Sequence, residues 1–114
     1  MIIQPTKTAT GNTRAFVLTW SGLLNGDTGE PIAFSQYTDK SAQVVGDFGV
    51  GGVVALEGSN NGADWSVLTD PQGNPLNFST AKIEMVAEAT AFVRPRVLAG
   101  DGSTSLALIL LLKE

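Results

Sequence analysis

At 114 residues and 11.9 kDa the chain is long enough for one domain with a real hydrophobic core and too short for two of ordinary size. Only 16% of residues are charged, so Ser, Thr, Asn, Gln and Gly must cover much of the exterior, a weakly hydrated surface suited to packing against neighbours. A net charge of -4 with scattered Lys and Arg excludes a phosphate-binding surface, and with it nucleic acid as a partner; the absence of Cys and His removes disulfides, thiolate nucleophiles, the usual neutral-pH base and the soft metal ligands.

Residues 1–10 contain Pro5 and no periodicity, and read as an N-terminal arm or edge strand ahead of a single domain over residues 11–114. Met1-Ile2-Ile3-Gln4-Pro5 lacks the basic start and apolar run of a signal peptide, so synthesis in the cytoplasm is expected. In residues 14–20, Phe16, Leu18 and Trp20 recur with a period of two, the pattern of a half-buried strand. Asn25-Gly26-Asp27-Thr28-Gly29-Glu30 places oxygen ligands at alternate positions but lacks the spacing and terminal Glu of a calcium loop; it reads as a turn.

Strands are predicted over 32–34 and 43–48, then a bend at Gly49-Val50-Gly51-Gly52, which is followed neither by Lys-Ser/Thr nor by a helix and so is no phosphate loop. Residues 53–59 and 65–68 flank Asn60-Asn61-Gly62, a hairpin signal because Asn and Gly tolerate positive φ. A second turn, Asp70-Pro71-Gln72-Gly73-Asn74-Pro75, precedes a short strand at 76–78. Residues 81–89 combine helix propensity with an alternation of Ile83, Met85 and Ala87 against Lys82, Glu84 and Glu88, which favours a strand with room for one helical turn.

Residues 92–98 and 104–112 are the last predicted strands, joined as a hairpin through Ala99-Gly100-Asp101-Gly102-Ser103, and Arg94 and Arg96 around Pro95 read as a strand's solvent face. Roughly eight strands at this spacing predict an all-β fold, a two-sheet antiparallel β-sandwich of jelly-roll or immunoglobulin-like type. The in-phase apolar positions Phe16, Leu18, Trp20, Val54, Leu56, Trp65, Val67, Val93 and Val97 form the predicted core.

In the final strand Leu106, Leu108, Leu110 and Leu112 point one way and Ala107, Ile109 and Leu111 the other, so both faces are apolar. One enters the core; the other needs a cover, which could be a loop, the N-terminal segment or another chain. At seven residues, 106–112 is far below the roughly 20 that span a bilayer, and no membrane partner is expected. Tyr37, in polar Ser35-Gln36-Tyr37-Thr38-Asp39, is the aromatic expected to be exposed, whereas Trp20 and Trp65 are expected in the core with indole N–H groups on carbonyls. The candidate interface residues, for oligomer or capsid, are Ile2, Ile3, Tyr37, Ala107, Ile109 and Leu111.

Catalysis would have to come from carboxylates alone, and Asp27, Glu30, Asp39, Asp47, Glu57, Asp64, Asp70, Glu84, Glu88 and Asp101 lie mostly in turns where Asp hydrogen-bonds locally. No catalytic residue, metal, cofactor or small-molecule substrate is expected.

Gly58-Ser59-Asn60-Asn61-Gly62-Ala63-Asp64-Trp65, Leu68-Thr69-Asp70-Pro71-Gln72-Gly73, Phe92-Val93-Arg94-Pro95-Arg96-Val97 and Gly100-Asp101-Gly102-Ser103-Thr104-Ser105-Leu106 resemble segments of small tailed-phage virion proteins, head decoration (cement) subunits among them. The resemblance covers roughly the second half of the chain. It implies a structural protein of the capsid surface, a homotrimer at three-fold positions whose partner is the major capsid protein. A similar Gly-Ser-x-x-Gly-x-x-Trp hairpin occurs in discoidin-like sugar-binding sandwiches, so a carbohydrate-binding module and a tail or neck subunit are the competing readings.

Overall fold

A computed structural model describes residues 1–114, and it is built of strands and turns without a helix. The strands are β1 (Ile2–Ile3), β2 (Thr6–Ala9), β3 (Ala15–Leu23), β4 (Thr28–Gly29), β5 (Asp39–Asp47), β6 (Val53–Ser59), β7 (Ser66–Val67), β8 (Asn77–Phe78), β9 (Lys82–Val86), β10 (Phe92–Ala99) and β11 (Ser105–Lys113). They form a six-stranded sheet in the order β1-β4-β10-β6-β7, with β8 also on β6, and a five-stranded sheet in the order β2-β3-β11-β5-β9. Only β1 with β4 is parallel; every other pairing is antiparallel. The predicted two-sheet β-sandwich is therefore the fold, and its eleven strands exceed the predicted eight because the N-terminal segment supplies β1 and β2 and the turn after β3 supplies the two-residue β4.

Period-two alternation builds the core. Leu106, Leu108, Leu110 and Leu112 of β11 are at most 1% exposed and lie in register between Leu23, Trp20, Leu18 and Phe16 of β3 on one side and β5, with Ala42 and Val44, on the other. Val54 and Leu56 of β6, Phe78 of β8 and Val93 and Val97 of β10 meet them from the opposite sheet. The Trp20 indole N–H donates to the Glu30 carbonyl at 3.1 Å, which satisfies the one polar atom the ring brings inside. β4 can pass this close only as glycine: a Cβ at Gly29 would stand 2.7 Å from the Trp20 ring and 2.5 Å from Pro95.

Seven of the nine predicted core positions are buried, and Trp65 and Val67 are not. The 60–62 hairpin sets Val67 opposite Glu57, so both point off the six-stranded sheet, while Leu68 takes the inward phase and is buried. A one-residue phase error flips every side chain of a strand. Three further expectations are corrected. Residues 99–103 are not a hairpin, because β10 and β11 belong to different sheets and the segment carries the chain between them. Residues 81–89 hold the strand β9 with no helical turn, and residues 32–34 make a single bridge, Ile32 with Val93, in place of a strand.

Short polar networks fix the crossovers. The Asp101 carboxylate accepts the Val50 N–H at 3.0 Å, the Ser103 N–H at 2.9 Å and the Ser103 hydroxyl at 2.8 Å. The buried Thr104 hydroxyl accepts the Asp101 N–H and donates to the Phe48 carbonyl, each at 2.9 Å, so the 48–50 bend and the 100–104 crossover are one unit.

The Val50 amide, followed by Ser103, holds the Asp101 carboxyl down to about 2. The sign follows from the charged form being the one that is bound: Asp101 stabilises the fold in full above its unfolded value near 3.8, and that contribution disappears as pH falls toward about 2. NMR titration of the side-chain carboxyl is expected to show this midpoint, and Asp101→Asn is expected to flatten the acid limb of the stability profile. In denaturant unfolding, Leu56→Ala is expected to cost about 2 to 5 kcal/mol, and Val67→Ala about 1 kcal/mol or less.

Candidate functional site

The six candidate interface residues are divided by the fold. Ile2 is exposed on the outer side of β1, while Ile3 faces inward and packs against the core, as alternation along a strand requires. Residues 2–3 and 6–9 extend the two sheets at their edges, so the N-terminal segment lies over neither face. Tyr37 is not the exposed contact expected of its polar neighbourhood. It is half-buried, edge-on to Phe16 at 4.9 Å and to Phe34 at 6.2 Å, in an aromatic cluster at the end of the core where β3 begins. The Lys7 ammonium sits 4.4 Å above the Phe16 ring of that cluster.

Ala107, Ile109 and Leu111 come together on the outer face of the five-stranded sheet. Register assigns their neighbours: Ile83, Gln43, Ile109, Thr19 and Thr6 form one row across the sheet, and Met85, Ser41, Leu111, Val17 and Thr8 the next, with Val45 beside Ala107. No loop seals this face, since Ile83 is 60% and Met85 53% exposed and the three β11 side chains are half-buried. The rows contain no charged side chain. Charge appears only at the margins, with Asp39 opposite Lys113 at one end and Asp47 opposite Ser105 at the other. A shallow depression of about 350 Å³, lined by Met85, Leu111, Ser41, Asp39, Lys40 and Lys113, marks the first margin.

Val17, Val45, Ile83 and Met85 complete a surface of which the sequence marks only the β11 residues. Their strands alternate plainly in the sequence, but only register shows that their outward side chains adjoin Ile109 and Leu111.

The outer face of the six-stranded sheet is of the opposite character. Arg94 and Arg96 project from β10 as expected, with Pro95 turned inward and buried. Glu57, in register with Arg94, is buried beneath them: it accepts Arg94 Nε at 3.0 Å and lies 3.7 Å from an Arg96 terminal nitrogen. The Arg94 guanidinium stacks on Trp65 at 4.0 Å from the ring centre, which accounts for where that indole goes once it is outside the core. Nothing in the sequence marks Glu57 as the partner, because it is 37 residues from Arg94. The network closes on itself, with the buried carboxylate neutralised and Arg94 occupied on its edge and its face. No group of three or more His, Cys, Asp or Glu side chains is placed to hold a metal ion.

No protein-family model matches the sequence, and no curated protein matches it. Among solved structures the chain is similar to the SPBc2 prophage-derived protein YomS, with a TM-score of 0.66 and 7% identity over 93% of this chain and 100% of that one. It also aligns with protein NMB1881 from Neisseria meningitidis at a TM-score of 0.47 and 16% identity, over 97% of this chain and 84% of that one. The likeness to YomS establishes a shared fold.

A double-mutant cycle tests the Glu57 network. Arg94→Ala leaves a buried carboxylate short of its partner and is expected to cost about 1 to 3 kcal/mol in urea unfolding. In a Glu57→Gln background, where no buried charge remains, the same truncation is expected to cost markedly less.

Proposed function

We propose that this protein is a structural subunit of a tailed-bacteriophage virion, a decoration (cement) protein that binds the outer surface of the major capsid protein lattice and stabilises the head. The observation that carries the reading is the uncharged, partly apolar outer face of the five-stranded sheet. A sandwich that works alone in water normally wets its outer faces with Lys, Glu and Arg. Two observations support a phage origin: the resemblance of segments within residues 58–73 and 92–106 to tailed-phage virion proteins, and a fold shared with a prophage-derived protein along the whole of that chain.

The protein works by binding. Several of its carboxylates shape the fold: Asp27, Asp70 and Asp101 accept backbone N–H groups in turns, and Glu57 is tied to two arginines. This function requires no catalysis, cofactor, nucleic acid, membrane or small-molecule substrate. In the trimeric form that the resemblance implies, three weak patches engage the lattice at once, and the linkage converts modest affinities into a tight attachment.

One observation favours the carbohydrate reading, which is that Trp65 stands outside the core. Its ring is stacked against Arg94, however, and a sugar would have to displace that contact or use the opposite side. A glycan array is expected to show no saturable binding.

The deciding measurement is the protein composition of purified virions together with mixing of the protein with empty capsid shells. Hundreds of copies per particle and saturable binding to shells are the expected outcome. A dozen copies or fewer would assign the chain to a neck or tail, and a protein absent from virions that ignores shells would remove the virion reading.

A further inference from the structure

The outer face of the five-stranded sheet has the properties of a surface that meets a copy of itself. Its rows run from Thr6 and Thr8 at one edge to Ile83 and Met85 at the other with no charged side chain between them. In a chain of net charge -4, this is the face on which two copies approach without opposing like charges. The other outer face lacks that property, since it would set Arg94 and Arg96 of one copy against those of the next.

Size agrees with charge. Three strands of nine residues, β9 of five and β2 of four, at about 3.3 Å per residue and about 4.8 Å apart, make a face of about 570 Å². A stable interface buries about 800 Å² on each partner, while adventitious contacts bury less than about half of that. The face is thus larger than an adventitious contact, and outward side chains on pleated strands add to the buried area by interdigitating when two sheets stack about 10 Å apart.

We propose that copies of this chain assemble through this face, with a second copy seated over Ile109, Leu111 and Met85. The proposal deepens the oligomeric part of the proposed function and rests on it only for the expectation that copies associate; a face that meets its own copy closes as a two-fold pair, which departs from the trimer that the resemblance implies. The surface itself is argued from register and charge, so the two can fail separately.

The test is light scattering coupled to size exclusion, with far-ultraviolet circular dichroism to confirm folding. The wild type is expected to have a mass of two or more 11.9 kDa chains. Ile109→Asp is expected to reduce it to a single chain, and Met85→Asp, at a position 53% exposed and free of the core, is expected to do the same with the fold intact. Arg96→Asp, on the opposite outer face, is expected to leave the wild-type mass unchanged. A wild type that stays a single chain at the highest concentration reached overturns the proposal, as does a folded Met85→Asp that keeps the full oligomer. A protein that assembles through this face and still ignores empty capsid shells removes the decoration reading and leaves the interface standing; a single-chain wild type that decorates shells does the reverse.

Discussion

β11 is hydrogen-bonded along its length to β3 on one side and to β5 on the other, and its four inward leucines form the floor of the only core the molecule has. A central strand with both neighbours in place cannot slip by one residue without exchanging its two sets of side chains. In most sandwich strands such a slip would drive polar groups into the core and so be prevented. Here the alternative set is Ala107, Ile109 and Leu111, also apolar, so burial of one set over the other discriminates weakly. What distinguishes the two is size and partnership. The leucines fill the space facing Trp20, Leu56 and Phe78, and the polar outward positions of β3 and β5, Thr19, Ser41 and Gln43, accompany Ile109 and Leu111 away from the core.

That choice sets the contrast between the two outer surfaces. The five-stranded sheet presents threonine, serine, glutamine and aliphatic side chains, whereas the six-stranded sheet presents an arginine pair over a buried glutamate and an indole. In water the first is poorly hydrated and the second well hydrated, so association through the first costs little desolvation of polar groups and association through the second costs much. Low overall charge is thus unevenly distributed, and the surface that lacks charge is also the broad regular one.

Because consecutive strands often belong to different sheets, the connections must cross the ends of the sandwich, and their backbone groups need partners that a ladder cannot supply. The turn carboxylates provide them. Asp70 accepts the N–H groups of Gln72 and Asn74, Asp101 those of Val50 and Ser103, and Asp27 that of Leu24. For Asp70 and Asp101 these amides hold the carboxyl below the usual carboxylate range, so both stay charged near neutral pH and serve the turns as fixed acceptors.

Much of this was determined by the sequence itself. Alternation in residues 14–20, 53–59, 92–98 and 104–112 identified four of the long strands and most of the core, since the direction of a side chain from a strand is a local property with period two. The Asn60-Asn61-Gly62 hairpin was legible for the same local reason: Gly62 takes a φ of +76° and Ser59 caps the turn through its Oγ. Phase and pairing were not legible. Trp65 and Val67 have the alternation of core residues, but the register against β6 turns them outward; Tyr37 stands in a polar segment, but the loop before β5 folds its ring onto Phe16. The apolar row from Ile83 to Ile109 and the pairing of Glu57 with Arg94 join residues 26 and 37 positions apart. A sequence dictates which way each side chain leaves its own strand, but which strands become neighbours, and therefore what surface their outward residues make together, is decided only when the two sheets close around one core.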